Sequence, residues 1–226
     1  MMTEVSNHPT RWSKNNTKYY VNENTTKLLI GSMPPKRICD CNLKDGDIDF
    51  FYDSKDNRLW KIFFEDLNLQ KYQRTKEDFS KFLDDYNIGL FDVVSSCIHN
   101  QEYDNPSATD KNLLSITPIP LKEFTSILKD IKILYITGEY VLDLLKIFYA
   151  EKIEFVSKKE GKIYIKNLDH PIFFKVVYSP TRRVYNLHKK EMINQYKELL
   201  KWDNQCSFFS FLWYNHNGRS IWWIKV

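Results

Sequence analysis

Short apolar runs, each closed by a glycine or a polar turn, alternate along this chain with longer segments of helical period. The first run, Leu28-Leu29-Ile30, lies between Lys27 and Gly31-Ser32, with Pro34-Pro35 just beyond. Apolar residues without alternation over so short a span fit a strand covered on both faces, and the glycine and proline pair stop it at a turn. Ile88 to Ser95, Lys132 to Gly138 and Ile172 to Tyr178 predict three further strands. Helical spacing is present from about Arg58 to Asn68, Thr75 to Asp85, Leu121 to Lys129, Glu139 to Tyr149 and Val184 to Trp202. The order β-α-β-α-β-α-β predicts a three-layer α/β/α domain around a mostly parallel four-stranded central sheet, since parallel neighbours need crossover connections. Ile153 to Val156 and Lys162 to Ile165 read as a hairpin excursion around Glu160-Gly161.

The ends differ in character. Residues 1–24 are polar and read as an arm, which Trp12, Tyr19 and Tyr20 could dock onto a domain over residues 25–204. Residues 205–226 hold Phe208-Phe209-Ser210-Phe211-Leu212-Trp213-Tyr214, then Asn217-Gly218, then Ile221-Trp222-Trp223-Ile224, and predict a C-terminal aromatic β-hairpin. Packing on the domain edge is the plain reading of that hairpin; a dimer contact or a base-stacking surface are the alternatives, because an exposed aromatic ribbon invites a partner. The oligomeric state stays open.

Open α/β sheets bind ligands beyond the carboxyl ends of their strands, so Gly31-Ser32-Met33-Pro34 marks the expected pocket. Three blocks here resemble the uracil-DNA glycosylase superfamily, especially its hypoxanthine-DNA glycosylase-like branch. The first is Leu29-Ile30-Gly31-Ser32-Met33-Pro34 with Phe51-Tyr52 and Asn57-Arg58-Leu59-Trp60; the second is Asn87 to Cys97; the third is Tyr178-Ser179-Pro180-Thr181-Arg182-Arg183. The resemblance spans roughly residues 27 to 202. It implies a uracil-DNA glycosylase-like fold and a monofunctional DNA glycosylase, which flips out a damaged or modified base and hydrolyses its N-glycosidic bond to leave an abasic site. No cofactor and no metal are implied, and the partner is duplex or single-stranded DNA carrying the modified base.

Each role the resemblance implies answers a chemical need. A flipped base needs a face to stack on and hydrogen bonds along its edge, and the vacated stack needs a wedge. Phe51 or Tyr52 would stack; Gly31, Met33, Pro34, Ser95 and Ser96 would shape the base pocket, with backbone N–H groups of Ser32 and Met33 toward the base edge. Asn57 and Ser32 are the implied catalytic positions, Asn57 orienting water against a forming oxocarbenium ion, which asks little of a weak base. Asn57 also suits the N-cap of the helix that begins at Arg58. Tyr178, Ser179, Pro180, Thr181, Arg182 and Arg183 would meet DNA, one of the arginines as wedge. Two departures stand out: Met33 where the best-known uracil enzymes have Asp, and Val177-Tyr178 where they have His. Tyr178, His99 or His188 could enter the site instead.

Net charge is +4 over 226 residues, but it is unevenly spread. Lys158 to Lys201 carries eleven basic against four acidic residues, and Asp40 to Asp92 thirteen acidic against eight basic. The basic half suits phosphate contacts or a solvated helix face. The acidic loop, with Asp40, Asp45, Asp47, Asp49, Asp53 and Asp56, is either solvated or accepts bonds from a hydroxyl-bearing base such as glucosylated hydroxymethylcytosine of phage DNA, which would make the protein one of antiviral defence. Hypoxanthine or uracil, and hence DNA repair, is the other substrate reading.

Cys39, Cys41, Cys97 and Cys206 lack zinc spacing and read as free thiols. No apolar run reaches membrane-spanning length and the start lacks a secretory pattern, so a cytoplasmic location without membrane contact is expected. Lys36 is the lysine of the pocket blocks that a lyase step could use. The opposing function classes are a non-catalytic DNA-binding protein that keeps the fold and a nucleoside hydrolase.

Overall fold

The computed structural model describes residues 4–13, 16–99, 113–150, 153–155, 159–166, 168 and 170–201. In chain order the elements are β1 (Val5–Asn7), β2 (Tyr19–Tyr20), β3 (Lys27–Gly31), α1 (Lys36–Cys39), α2 (Leu59–Lys61), a π-helix (Ile62–Asp66), α3 (Lys76–Asp85), β4 (Ile88–Asp92), β5 (Val94–His99) and β6 (Leu113–Pro118). They continue as α4 (Leu121–Ile127), β7 (Ile133–Thr137), α5 (Glu139–Tyr149), β8 (Ile153–Phe155), β9 (Glu160–Ile165), β10 (Ile172–Val177) and α6 (Arg182–Lys201). The predicted C-terminal hairpin and the loop from 100 to 112 lie outside the described residues.

The main sheet runs β2-β4-β3-β7-β10-β9-β8. The four strands anticipated from sequence form its parallel centre, with Leu29 beside Leu90 on one side and Tyr135 on the other. The whole sheet is nevertheless mixed and seven-stranded, which corrects the four-stranded expectation. Two-residue β2 is too short to show a period, and it pairs antiparallel with β4. The β8–β9 hairpin extends the sheet rather than leaving it, because β9 pairs antiparallel with β10.

A second correction concerns the predicted strand from Ile88 to Ser95. The ladder continues as Val93 N–H donates to the Gly31 carbonyl and Val94 N–H to that of Ser32, and the chain then leaves for another sheet. That sheet is antiparallel, ordered β1-β5-β6. The segment before residue 25 therefore supplies a strand to each sheet.

Two cores sandwich the main sheet. On one face Leu29, Leu90 and Tyr135 meet Trp60, Phe63, Phe79 and Phe82 with Met192, Tyr196 and Leu199 of α6. Trp60 stacks on Phe79 with centroids 4.2 Å apart, a geometry that adds to the area it buries. On the other face Leu28, Ile30, Phe91, Leu134 and Ile136 meet Phe124 of α4 and Val141, Leu145 and Tyr149 of α5. Helices on both faces of a parallel centre make the three-layer arrangement.

The helix expected over residues 58–68 is instead a short α-turn that widens into the π-helix, and α6 kinks at His188, whose φ of −132° is not helical. The wider turn aims Asp66 at α6, where it accepts from the Tyr185 hydroxyl at 2.8 Å and pairs with Lys189 at 3.0 Å.

Trp12 is 6% exposed, packs on Phe51 at 4.6 Å and donates its indole N–H to Asp49 at 2.8 Å. Truncating so large a buried ring leaves a cavity, so Trp12→Ala should lower stability to urea by about 3 kcal/mol. A loss below about 1 kcal/mol would make Trp12 peripheral to the fold.

Candidate functional site at the carboxyl ends of the central strands

Tyr52 defines the site. Its backbone φ is +56°, an unfavourable region for a residue with a Cβ, and its half-buried side chain crosses the end of β3 to donate to Asp92 Oδ1 at 3.0 Å. A Cβ on Gly31 would lie 2.1 Å from the Tyr52 oxygen and 2.4 Å from Asp92 Oδ1. The glycine is therefore needed for clearance. Burial first, and then the Asp92 charge, pushes the Tyr52 phenol well above its ordinary pKa, so it remains a donor. Thr137, at the end of β7, fixes the neighbouring strand end by donating to the Ile30 carbonyl at 2.9 Å.

The remaining candidates fall into three groups. Phe51 has no exposed surface and packs against His8, Trp12 and Phe50, so of the two implied stackers only Tyr52 is accessible in this conformation. Met33 and Pro34 are buried as well, and Ser32 is half-buried at the turn. Ser95 and Ser96 belong to β5 of the small sheet; Ser95 Oγ is contacted by Lys18 Nζ, and its carbonyl accepts from the His8 N–H at 2.8 Å.

Asn57 and the Ser-Pro loop, far apart in sequence, are zipped together. Arg58 N–H donates to the Pro180 carbonyl at 2.6 Å, Arg182 N–H donates to that of Asp56 at 2.7 Å, and Asn57 bridges Thr181. The Asn57 side chain accepts from Leu59 N–H at 2.9 Å, but the helix begins at Leu59 with Arg58 as its N-cap, so Asn57 stands one residue before the cap position expected of it. Arg182 and Arg183 are exposed, and so is Leu187 of α6, an apolar side chain at 68% exposure that no sequence motif marks. Tyr178 lies flat on His188, 4.6 Å between centroids and 6° between planes, while its carbonyl accepts from Tyr196 and its N–H donates to Gln195. His99 is buried with neither ring nitrogen hydrogen-bonded, and burial followed by Lys36 lowers its pKa.

The acidic loop is largely committed to arginines. Asp47 accepts from Arg37 Nε at 2.8 Å and from the Lys44 and Lys55 N–H groups. Asp49 takes Arg11 and Trp12, Asp53 takes Arg74, and Asp56 faces Arg37. Each of these bonds occupies an acceptor site that a ligand's hydroxyl would otherwise use. Lys36 pairs with Asp40 at 2.6 Å and with Glu4. The Asp40 hydrogen bond raises its pKa, which works against a nucleophilic amine. Cys39, Cys41 and Cys97 are free thiols. Two cavities of about 440 and 450 Å³ occur elsewhere, one beside Phe64 and Tyr72 and one beside Tyr20 and Asp84, and neither is lined by a candidate residue. Among the described residues, no helix is long and apolar enough to cross a membrane.

Two outcomes are expected. Gly31→Ala should destabilise the protein by about 1–3 kcal/mol in urea, and by less in a Tyr52→Phe background, where the closest clashing atom is gone. Equal costs in both backgrounds would show that the Tyr52 oxygen is not what the glycine makes room for. Burial opposes ionisation of Asp47, but Arg37 and the two backbone donors outweigh it and lower its pKa to about 2. A depressed folded value stabilises the fold above the unfolded value of about 3.9 and loses that contribution as pH falls toward 2. The urea stability gap between the native chain and Asp47→Asn should therefore narrow from about pH 6 to about pH 2; a constant gap would contradict it.

No protein-family model matches the chain, and no curated protein matches it. Among solved structures the chain is similar to a solution NMR structure from Methanosarcina acetivorans, a protein provisionally described as a uracil DNA glycosylase. The TM-score is 0.54 at 14% identity, over 88% of this chain and 98% of that one. At that identity the likeness is one of fold, and the layered α/β architecture described above is what the two chains share.

Proposed function

We propose that the protein is a monofunctional DNA glycosylase, acting on a deaminated base of the uracil or hypoxanthine type. The pairing of Asp56–Arg58 with Pro180–Arg182 carries this reading. It sets an amide able to orient water and a basic loop able to follow a phosphate backbone side by side, at the strand ends where such sheets bind ligands. In this reading Tyr52 stacks on the extruded base, the turn at Ser32 and Met33 meets its edge, and Asn57 positions the water. Arg182, Arg183 and Leu187 are the exposed side chains available to fill the vacated stack. Hydrolysis then proceeds by preorganisation: the C–N bond breaks as the sugar gains positive charge and the base leaves as an anion, the held water bonds to the anomeric carbon, and the proton it sheds neutralises the base anion. The deaminated bases take precedence over a glucosylated one because the acidic loop is occupied by Arg11, Arg37 and Arg74.

One observation favours a second reading, a non-catalytic DNA-binding protein on the same fold. Asn57 Oδ1 already accepts from Leu59 N–H, which is what a purely structural turn residue would do. The two readings separate in one assay, release of uracil, hypoxanthine, xanthine or glucosylated hydroxymethylcytosine from labelled duplex and single-stranded DNA, with abasic sites revealed by alkali. Release of one base that falls at least about a hundredfold in Asn57→Ala is the expected result. Tight DNA binding without release of any base would establish the second reading, and absence of DNA binding would end both.

A further inference from the structure

The turn that presents Tyr52 is backed by a residue from the segment before β2. His8 has a fully buried side chain whose Nε2 lies 3.0 Å from Asp92 Oδ2, while its Nδ1 lies 2.9 Å from the Pro9 carbonyl. The Pro9 oxygen can only accept, so Nδ1 is the donor there, and Nε2 faces the carboxylate. The other Asp92 oxygen receives the Tyr52 hydroxyl. The His8 ring is also wedged between Trp12 and Phe51, each 5.7 Å away, and its backbone N–H is held by Ser95. Thus the half-buried ring in the strained backbone position is tied to a carboxylate, and that carboxylate to a buried imidazole from a distant part of the chain. A side chain kept in a left-handed backbone position needs such surrounding support.

We propose that Asp92 is a positioning residue, clamped by His8, that sets the Tyr52 ring as the stacking wall of the pocket. The proposal rests on the glycosylase reading for what the wall receives. The carboxylate acts through its two hydrogen bonds and not through its charge. Asparagine can reproduce both bonds: its Oδ1 accepts from the Tyr52 hydroxyl, and its Nδ2 donates to Nε2 of a neutral His8 that keeps its proton on Nδ1. Alanine can reproduce neither. A carboxylate acting as base or electrostatic partner would be damaged equally by both changes.

The test compares the native chain with Asp92→Ala, Asp92→Asn and His8→Ala, each checked for a cooperative urea transition. Base capture is read by a fluorescent adenine analogue placed beside a sugar-fluorinated deoxyuridine or deoxyinosine, which resists cleavage. Release is read under single-turnover conditions on the normal substrate. Hydrogen exchange of the His8 amide reads the clamp without any DNA. Asp92→Ala and His8→Ala should weaken capture about tenfold, the loss of one hydrogen bond's worth, while the saturated release rate changes less than about threefold. Asp92→Asn should restore capture to within about threefold of native and restore slow exchange at His8. Asp92→Asn as defective as Asp92→Ala would overturn the proposal in favour of a direct role for the charge, and capture unchanged in Asp92→Ala would remove any role. Fast His8 exchange in Asp92→Ala with no capture by the native chain would mean that the clamp exists but the glycosylase reading, and the pocket role with it, is wrong.

Discussion

A phenol and a carboxylate occupy the space where any residue but glycine at position 31 would carry its side chain. Much of the site follows from that packing. Because the Tyr52 side chain crosses the end of β3, the strand must close on a glycine, and the chain must turn at Ser32 instead of continuing. Because Asp92 meets the phenol there, β4 ends at a buried carboxylate. The ladder then carries on for two residues alongside the Gly31-Ser32 turn before the chain leaves for the small sheet. Buried carboxylates need hydrogen-bond donors, and Asp92 finds its second in His8. The small sheet, in which β1 pairs with β5, is what delivers that histidine.

Beneath this polar seam lies an aromatic layer that keeps it rigid. Phe50 and Phe51 precede Tyr52 and point into the core, where Phe50 packs on Phe79 and Trp60 while Phe51 packs on Trp12. The Trp60 indole donates to the Phe51 carbonyl at 2.7 Å, so the helix that follows Asn57 is bonded directly to the turn that presents Tyr52. Close-packed interiors transmit displacement instead of absorbing it. Asn57, Tyr52 and the Ser-Pro loop thereby share one rigid support. The arginines bound to the acidic loop work in the same direction: Arg11, Arg37 and Arg74 each join two stretches of chain, and they neutralise locally a segment that its composition alone would mark as repelling phosphate.

Strands buried on both faces were legible because their apolar runs are continuous and their turns carry glycine or proline, as at Leu28-Leu29-Ile30-Gly31. Antiparallel additions were not, since Tyr19–Tyr20 is too short to show a period and the run through Val94 hides a change of sheet. In the site, Tyr52 was legible within a motif, whereas Asp92 looked like one more residue of the Asn87 to Cys97 segment. A carboxylate closing a central strand was the available signal. His8 gave none, because a lone histidine in a polar segment looks the same whether it is solvated or buried. Phe51 and Tyr52 show a related limit: adjacent aromatics are equivalent in sequence, and only the positive φ at Tyr52 turns the second of them out of the core.

Asn57 shows why a structural bond and a chemical role need not compete. A carboxamide has two acceptor sites on oxygen and two N–H donors, and the bond from Leu59 N–H uses one acceptor. The bridge to Thr181 fixes the backbone and the bond to Leu59 N–H holds the side chain, so the group has little rotamer freedom left to lose on holding a water. An unrestrained asparagine would have to surrender that freedom at the moment of reaction, whereas this one has surrendered it on folding. Under the proposed function that bond is therefore part of the preorganisation: it points the unused lone pair and both N–H groups in a constant direction relative to the Ser-Pro loop. The missing acid and histidine then demand less of the site, because positioning a water against a forming cation depends on geometry more than on basicity.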